Sequence, residues 1–224
     1  MNIGIGLDTG GTYTDAVLYD FDTKSILGTA KALTTRDDLT RGILAALDAL
    51  PQALVRQARV IALSTTLATN ACVEDRGGRA KLIFIGARRK VVAAYGQEYG
   101  LPPVEDILLV EGVAGQRMLL DEQGLNNGLN EGFDDLDGVG IVDIDAVHNS
   151  AVREKRAREL LEKQSDLPVV CGHELFQELN SLQRAASTLL NARLVPVIRE
   201  FLSAIRTALA ARGILATVVI VRSD

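Results

Sequence analysis

Short apolar runs separated by turn residues open the chain, and helical spacing replaces them after about residue 38. Ile3–Leu7 and Ala16–Tyr19 are two such runs, with "DTGGTYTD" (Asp8–Asp15) between them. Asp20–Lys24, "DFDTK", has turn chemistry, and Ser25–Leu33 offers a third extended run. Three strands joined by short turns predict an antiparallel meander. The period then changes: Leu39, Ile43, Ala46, Leu47 and Leu50 recur at helical spacing, with Asp37 as a cap before them and Pro51 after. Val60–Leu63 and Lys81–Ile85 are continuous apolar strands. Between them, "STTLATNACVEDRGG" predicts a helix with hydroxyls at its N-terminus and Gly77-Gly78 at its stop. The order β-β-β-α-β-α-β implies an α/β fold built on a mixed sheet with helices.

The pattern weakens from about residue 86 to 140. Ile107–Val110 and Arg117–Leu120 are expected to be strands, and Asn126-Asn127-Gly128 and the acidic Gly132–Gly138 stretch loops. A smaller lobe inserted at 87–140 is the expectation, between a core domain at 1–86 and the remainder at 141–224. That remainder holds a strand at Val139–Val142, a charged helix at Ala151–Lys163 showing Val152, Leu160 and Leu161 to the core, and a strand at Leu167–Cys171. Leu182–Ala211 has long helical periodicity, which Pro196 is expected to kink or split. "LATVVIVRSD" reads as a buried strand running to the last residue, with nothing after it to cover it. The expectation is that the native protein continues beyond it.

Charge and composition narrow the function. With a net charge of −5 and a pI near 5.2, a nucleic-acid partner is not expected. No basic and apolar leader opens the chain, and no apolar run approaches membrane-spanning length, so a cytoplasmic protein without a membrane partner is expected. Cys72 and Cys171 are read as free, partly buried thiols. His148 and His173 lack Cys/His metal spacing and are assigned structural or surface roles. The acids Glu131, Asp134, Asp135, Asp137, Asp143 and Asp145 fail the EF-hand template, because counting from Asp135 puts Val139 and Ala146 at ligand positions. They are read as a solvated loop.

The Asp8–Asp15 turn carries the candidate chemistry. A dinucleotide fingerprint fails because Thr9 stands where the third glycine belongs, and a phosphate loop of the Gly-Lys-Ser/Thr type is absent. Gly10 and Gly11 allow positive φ and exposed backbone N–H groups, which bind phosphate oxygens as a nest. Thr12 adds a hydroxyl, and Asp8 is placed to hold Mg²⁺ through water. A glycine hairpin with a solvated aspartate fits the same residues. Ser64, Thr65 and Thr66 form a second candidate: at a strand end and helix start, free N–H groups and the helix dipole favour an anion. Asn70 lies one turn further on the same face. An ordinary helix cap fits these too.

A β-hairpin phosphate loop, a third strand and then α-β-α-β is the order of the actin, Hsp70 and sugar-kinase ATPase superfamily. More specifically, the chain resembles the N-terminal region of the hydantoinase/oxoprolinase family, A-type subunit. The residues carrying this are "GLDTGGTYTDAVL" at 6–18, "TTRDDLTRGILAAL" at 34–47, "LSTTLATNACVEDRGGR" at 63–79, "EGVAGQRMLLDEQG" at 111–124 and "QRAASTLLNARLVPVI" at 183–198. Many family members carry histidine where Ser64 stands, and family chains run on into a second ATPase domain. The resemblance implies a ribonuclease-H-like mixed sheet with helices on both faces, ATP and Mg²⁺ as cofactors, and an ATP-dependent hydantoinase or 5-oxoprolinase type of cyclic-amide hydrolase. It also implies a small cyclic amide or ketone as substrate and a second, B-type subunit or fused domain as partner. Asp8 and Asp15 would be catalytic, Asp8 as the metal residue. Gly10, Gly11, Thr12, Thr14, Ser64, Thr65, Thr66 and Asn70 would bind the nucleotide. The alternatives are a related ketone carboxylase, or an ATP-driven conformational module acting on a protein partner.

Overall fold

The computed structural model describes residues 2–35, 37–64, 66–74, 76–111, 119–130, 132–133, 135–176 and 178–221. In chain order the elements are β1 (Ile3–Thr9), β2 (Tyr13–Asp20), β3 (Ser25–Leu33), α1 (Leu39–Asp48), α2 (Gln52–Val55), β4 (Ala58–Leu63) and α3 (Thr66–Val73). There follow β5 (Ala80–Ile85), α4 (Arg89–Tyr95), β6 (Leu108–Val110), α5 (Glu122–Leu129), β7 (Gly138–Asp143), α6 (Val152–Glu162) and β8 (Val169–Cys171). The last three are α7 (Gly172–Leu175), α8 (Ser181–Ala211) and β9 (Thr217–Ile220). Two compact units result: residues 1–76 with 197–224, and residues 77–196.

The first unit holds a five-stranded sheet in the order β3-β2-β1-β4-β9. β1, β2 and β3 form the expected antiparallel meander, while β4 runs parallel to β1 and β9 parallel to β4. Alternation decides the faces. Ile3, Ile5 and Leu7 point one way and are buried with Leu18, Ala16, Ile61 and Leu63, which the register sets beside them. Against them pack Ile43 and Leu47 of α1, and Phe201, Ile205 and Ala208 from the C-terminal part of α8. Gly4, Gly6 and Asp8 point the other way. A Cβ added at Gly6 would meet no atom within 4 Å, so this face is open beside Asp8.

The mixed α/β class agrees with the sequence expectation, but the fifth strand differs. Ala80–Ile85 completes the chain order β-β-β-α-β-α-β as expected, but it pairs in the second unit's sheet, and Thr217–Ile220 is the fifth strand of this one. A short apolar run does not encode its sheet, and both runs suit a parallel neighbour. β9 is also not buried: as an edge strand it leaves Val219 and Ile220 exposed.

The second unit is built on its own sheet, β6-β5-β7-β8, in which all three pairings are parallel. β5 reads alternately to two cores. Ile83 and Ile85 join Leu125, Ala157 and Leu161 from α5 and α6. Leu82 and Phe84 join Val92, Ala185 and Leu189 from α4 and α8. The boundaries of this unit lie at 77 and 196, against the 87 and 140 read from the sequence for a smaller lobe. α8 runs on through Pro196 as one helix. Gly138 is required where β7 meets α8, since a Cβ there would come within 2.7 Å of the Ala192 carbonyl oxygen. Helix α6 packs Leu160 and Leu161 on the core as expected, and it also buries Ala157 with Arg153 and Glu154 of its first turn. Arg153 is held by Asp143, with its Nε on Oδ2 at 2.9 Å and Nη2 on Oδ1 at 2.5 Å.

Candidate phosphate and metal site

Asp8 is the last polar residue of β1 on the open face, and its position follows from two neighbouring strands. On one side the antiparallel register sets it opposite Asp15, and Asp15 opposite Lys31. Like charges directly across a ladder repel. Lys31 offsets this with an ion pair to Asp15 at 3.1 Å, and its ammonium also lies over the Tyr13 ring at 4.9 Å. On the other side, β4 pairs Leu63 with Leu7, and the Ser64 N–H continues the ladder to the Leu7 carbonyl at 3.0 Å. Ser64 thereby arrives beside Asp8 and donates its hydroxyl to Oδ1.

That bond orders the next one. Ser64 has a single proton, and Asp8 takes it, so the 2.8 Å contact between Ser64 Oγ and Thr66 Oγ1 has Thr66 as its donor. Ser64 Oγ also accepts the Thr66 N–H at 3.2 Å, capping the start of α3. A chain of hydroxyls therefore runs from Thr66 through Ser64 to the Asp8 carboxylate. Thr65 lies outside the described residues.

The glycine turn behaves differently from its sequence reading. Gly10 has no left-handed φ, and its N–H is committed to the Tyr13 carbonyl at 2.9 Å, so it is not a spare nest donor. Glycine serves close approach here, because an added Cβ would come within 3.2 Å of that carbonyl oxygen. Thr12 is exposed, and its carbonyl accepts the Thr34 N–H at 2.9 Å. Thr14 is not brought to the site: it is fully buried, with its hydroxyl 3.0 Å from that of Thr34. Period two places it with Thr9 on the core face, away from Asp8.

A pocket of about 190 Å³ lies within the same unit. Gly10, Gly11 and Asn70 line it with Thr34, Leu39, Leu67, Ala71, Glu74, Arg76, Val197 and Glu200. Glu74 and Arg76 pair at 2.9 Å. Its walls are apolar at Leu39, Leu67 and Val197 and polar at Asn70 and Thr34. Sequence reasoning found Gly10, Gly11 and Asn70 of this lining but missed Thr34, Glu74, Arg76 and Glu200. Thr34 follows β3, and Glu200 follows the apolar stripe of a helix more than a hundred residues further on. Nothing local marks either as facing a pocket.

Residues 4–110 match the family described as the hydantoinase/oxoprolinase N-terminal region. A comparison with curated proteins gave no match. Among solved structures, the chain is similar to a nucleotide-free acetone carboxylase from work on ATP-dependent acetone carboxylation, with 20% identity and a TM-score of 0.73, covering 95% of this chain and 35% of that one. It is similar also to an ATP-dependent caprolactamase from Pseudomonas jessenii, with 23% identity and a TM-score of 0.73, covering 98% of this chain and 35% of that one. At these identities the likeness establishes a shared fold. The chain thus spans about a third of the length of either solved chain. Among the described residues, no helix is long and apolar enough to cross a membrane.

Proposed function

We propose that this chain is the ATP-binding N-terminal part of an ATP-dependent cyclic-amide hydrolase. The observation that carries the proposal is the hydroxyl chain Thr66–Ser64–Asp8 beside a glycine turn. The donor set fits magnesium, which favours hard oxygen ligands, takes few of them from protein and keeps several waters. Asp8 would hold the ion, with Ser64 and Thr66 orienting the carboxylate. Bound there, Mg²⁺ supplies neutralisation of phosphate charge.

The chemistry needs little more from this half of a site than position and charge. An amide is a poor electrophile, and ATP supplies a phosphoryl group that makes its carbonyl oxygen a good leaving group. Asp8 and the hydroxyl chain fix where the phosphates sit, and Thr12 offers a further donor at the turn. Asp15 is half-engaged by Lys31, so its role is to set the field around Asp8 rather than to take a proton. Asn70 and the apolar wall of Leu39, Leu67 and Val197 suit a small ring with one amide. The family and the caprolactamase support the amide reading, and the acetone carboxylase supports a ketone in its place. A B-type subunit or fused domain completes the enzyme in this proposal.

The test is phosphate release from ATP by the native protein that contains this chain, with its partner subunit, across 5-oxoproline, hydantoins, simple lactams and ketones. Release that rises with a cyclic amide supports the proposal. Release that rises with a ketone moves it to a carboxylase. Release that ignores every small molecule and answers to a protein partner replaces it with a conformational module.

A further inference from the structure

Three side chains of metal-binding type meet in the second unit, at the carboxyl ends of β7 and β8. Cys171 ends β8, His173 stands two residues on in α7, and Glu154 comes from the first turn of α6. One ligand atom from each lies within 4.8 Å of the others. Glu154 is wholly buried, and its Oε1 accepts the Asp143 N–H at 2.8 Å. Its Oε2 accepts the His173 N–H at 3.0 Å and lies 2.6 Å from His173 Nδ1.

The neighbouring arginines are committed elsewhere. Arg153 pairs with Asp143 and Asp145, and Arg158 forks onto both oxygens of Glu174. Glu154 is therefore a buried carboxylate in contact with His173 rather than with an arginine. A buried charge is costly unless it is paired or coordinates a metal. Beside it Cys171 is also buried.

We propose that Glu154, Cys171 and His173 form a binding site for a zinc-type divalent cation, distinct from the magnesium position at Asp8. Thiolate, imidazole and carboxylate together are a zinc ligand set, whereas magnesium takes oxygen. A dication with one thiolate and one carboxylate sums to zero charge, so the three can be buried together without a net charge. Binding displaces the Cys171 thiol proton to solvent, and His173 ligates as neutral imidazole. The backbone N–H groups of Asp143 and His173 already hold the carboxylate, as outer-shell donors do around metal ligands. A pocket of about 330 Å³ touches His173 together with Val147, Ser150, Phe176 and Arg184. A fourth, exogenous ligand would approach from that pocket on the His173 side, the pattern of an open zinc site.

Cobalt(II) titration of the native chain tests this. The expected result is one equivalent bound, with a near-ultraviolet thiolate-to-cobalt charge-transfer band that zinc abolishes by competition. Cys171→Ser should lose the band, and Cys72→Ser, at the other free thiol, should keep it. His173→Ala should weaken cobalt binding tenfold or more, and at this partly exposed position it also serves as the test if the buried serine variant does not fold. Cobalt held at Asp8 by oxygen gives no thiolate band, so the outcome is independent of the magnesium proposal. No band from the folded wild-type chain at stoichiometric cobalt overturns the site, as does unchanged affinity in His173→Ala or an unchanged band in Cys171→Ser.

Discussion

Ser64 donates a hydrogen bond from its hydroxyl to Asp8 across 56 residues of chain. The contact exists because β4 lies parallel beside β1 with Leu63 opposite Leu7, so the residues just beyond that pair meet. Ser64→Ala removes this donor and leaves Thr66 facing an empty position. Hydrogen bonds to charged groups contribute about 1.5–3 kcal/mol when screened little. Asp8 is exposed, so the lower end applies, and kcat/KM for ATP-dependent phosphate release should fall about tenfold. Ser64→Thr should retain most of it. Steady-state phosphate release by the native protein reads both.

The Arg153–Asp143 pair is a buried ion pair of the second unit. Both side chains are almost completely buried, and Asn149 Nδ2 adds a third bond to Asp143 at 2.7 Å. Arg153→Ala strands a buried carboxylate and should cost about 3–5 kcal/mol. The double variant Asp143→Leu/Arg153→Met should cost clearly less than the sum of its single changes, because no unpaired charge remains. Denaturant unfolding of the three variants measures this.

Ile5 occupies the centre of the first unit's sheet, between Leu18 of β2 and Ile61 of β4. All three are buried. Ile5→Ala should destabilise by about 2–5 kcal/mol through lost burial and a residual cavity. Equilibrium unfolding followed by circular dichroism checks the value.

Acid sensitivity should come in part from Asp48. Arg212 forks onto both of its oxygens, and that bond holds the Asp48 carboxyl below the usual carboxylate range. A carboxyl whose folded pKa is depressed stabilises above its unfolded value, near 3.9, and loses that stabilisation as pH falls through the folded value. The wild type should therefore lose more stability than Asp48→Asn on acidification below about pH 4. The difference should be modest and shrink in salt, since the pair is partly exposed. Thermal midpoints of both proteins between pH 6 and pH 2 test it.

The parts of the site visible in the sequence are those set by local pattern. An acid at a strand end, two glycines and a hydroxyl run before a helix can each be read within a dozen residues, and the structure brings Asp8, Ser64 and Thr66 together. What the sequence obscured depends on distant partners. Thr14 sits in the same motif as Asp8, but strand alternation turns it into the core. Lys31 engages Asp15 only because β3 pairs with β2. Glu154 sits on a helix whose charged sequence implied solvent, and it is buried because backbone N–H groups and His173 receive it. "CGH" alone carried no metal spacing, since the third side chain comes from a helix 17 residues earlier. Thr217–Ile220 and Ala80–Ile85 are equally apolar, and only the folded chain assigns them to different sheets.

The most direct measurement is phosphate release from ATP by the native protein, wild type against Asp8→Asn, with a stimulating cyclic amide present. Asparagine keeps the shape and a hydrogen-bond acceptor for Ser64 but removes the charge that would hold magnesium. If Asp8 anchors the phosphate and metal site, substrate-stimulated release should fall by at least a hundredfold, roughly 2.7 kcal/mol, while the variant stays folded. Release at the wild-type rate from folded Asp8→Asn protein would contradict that role.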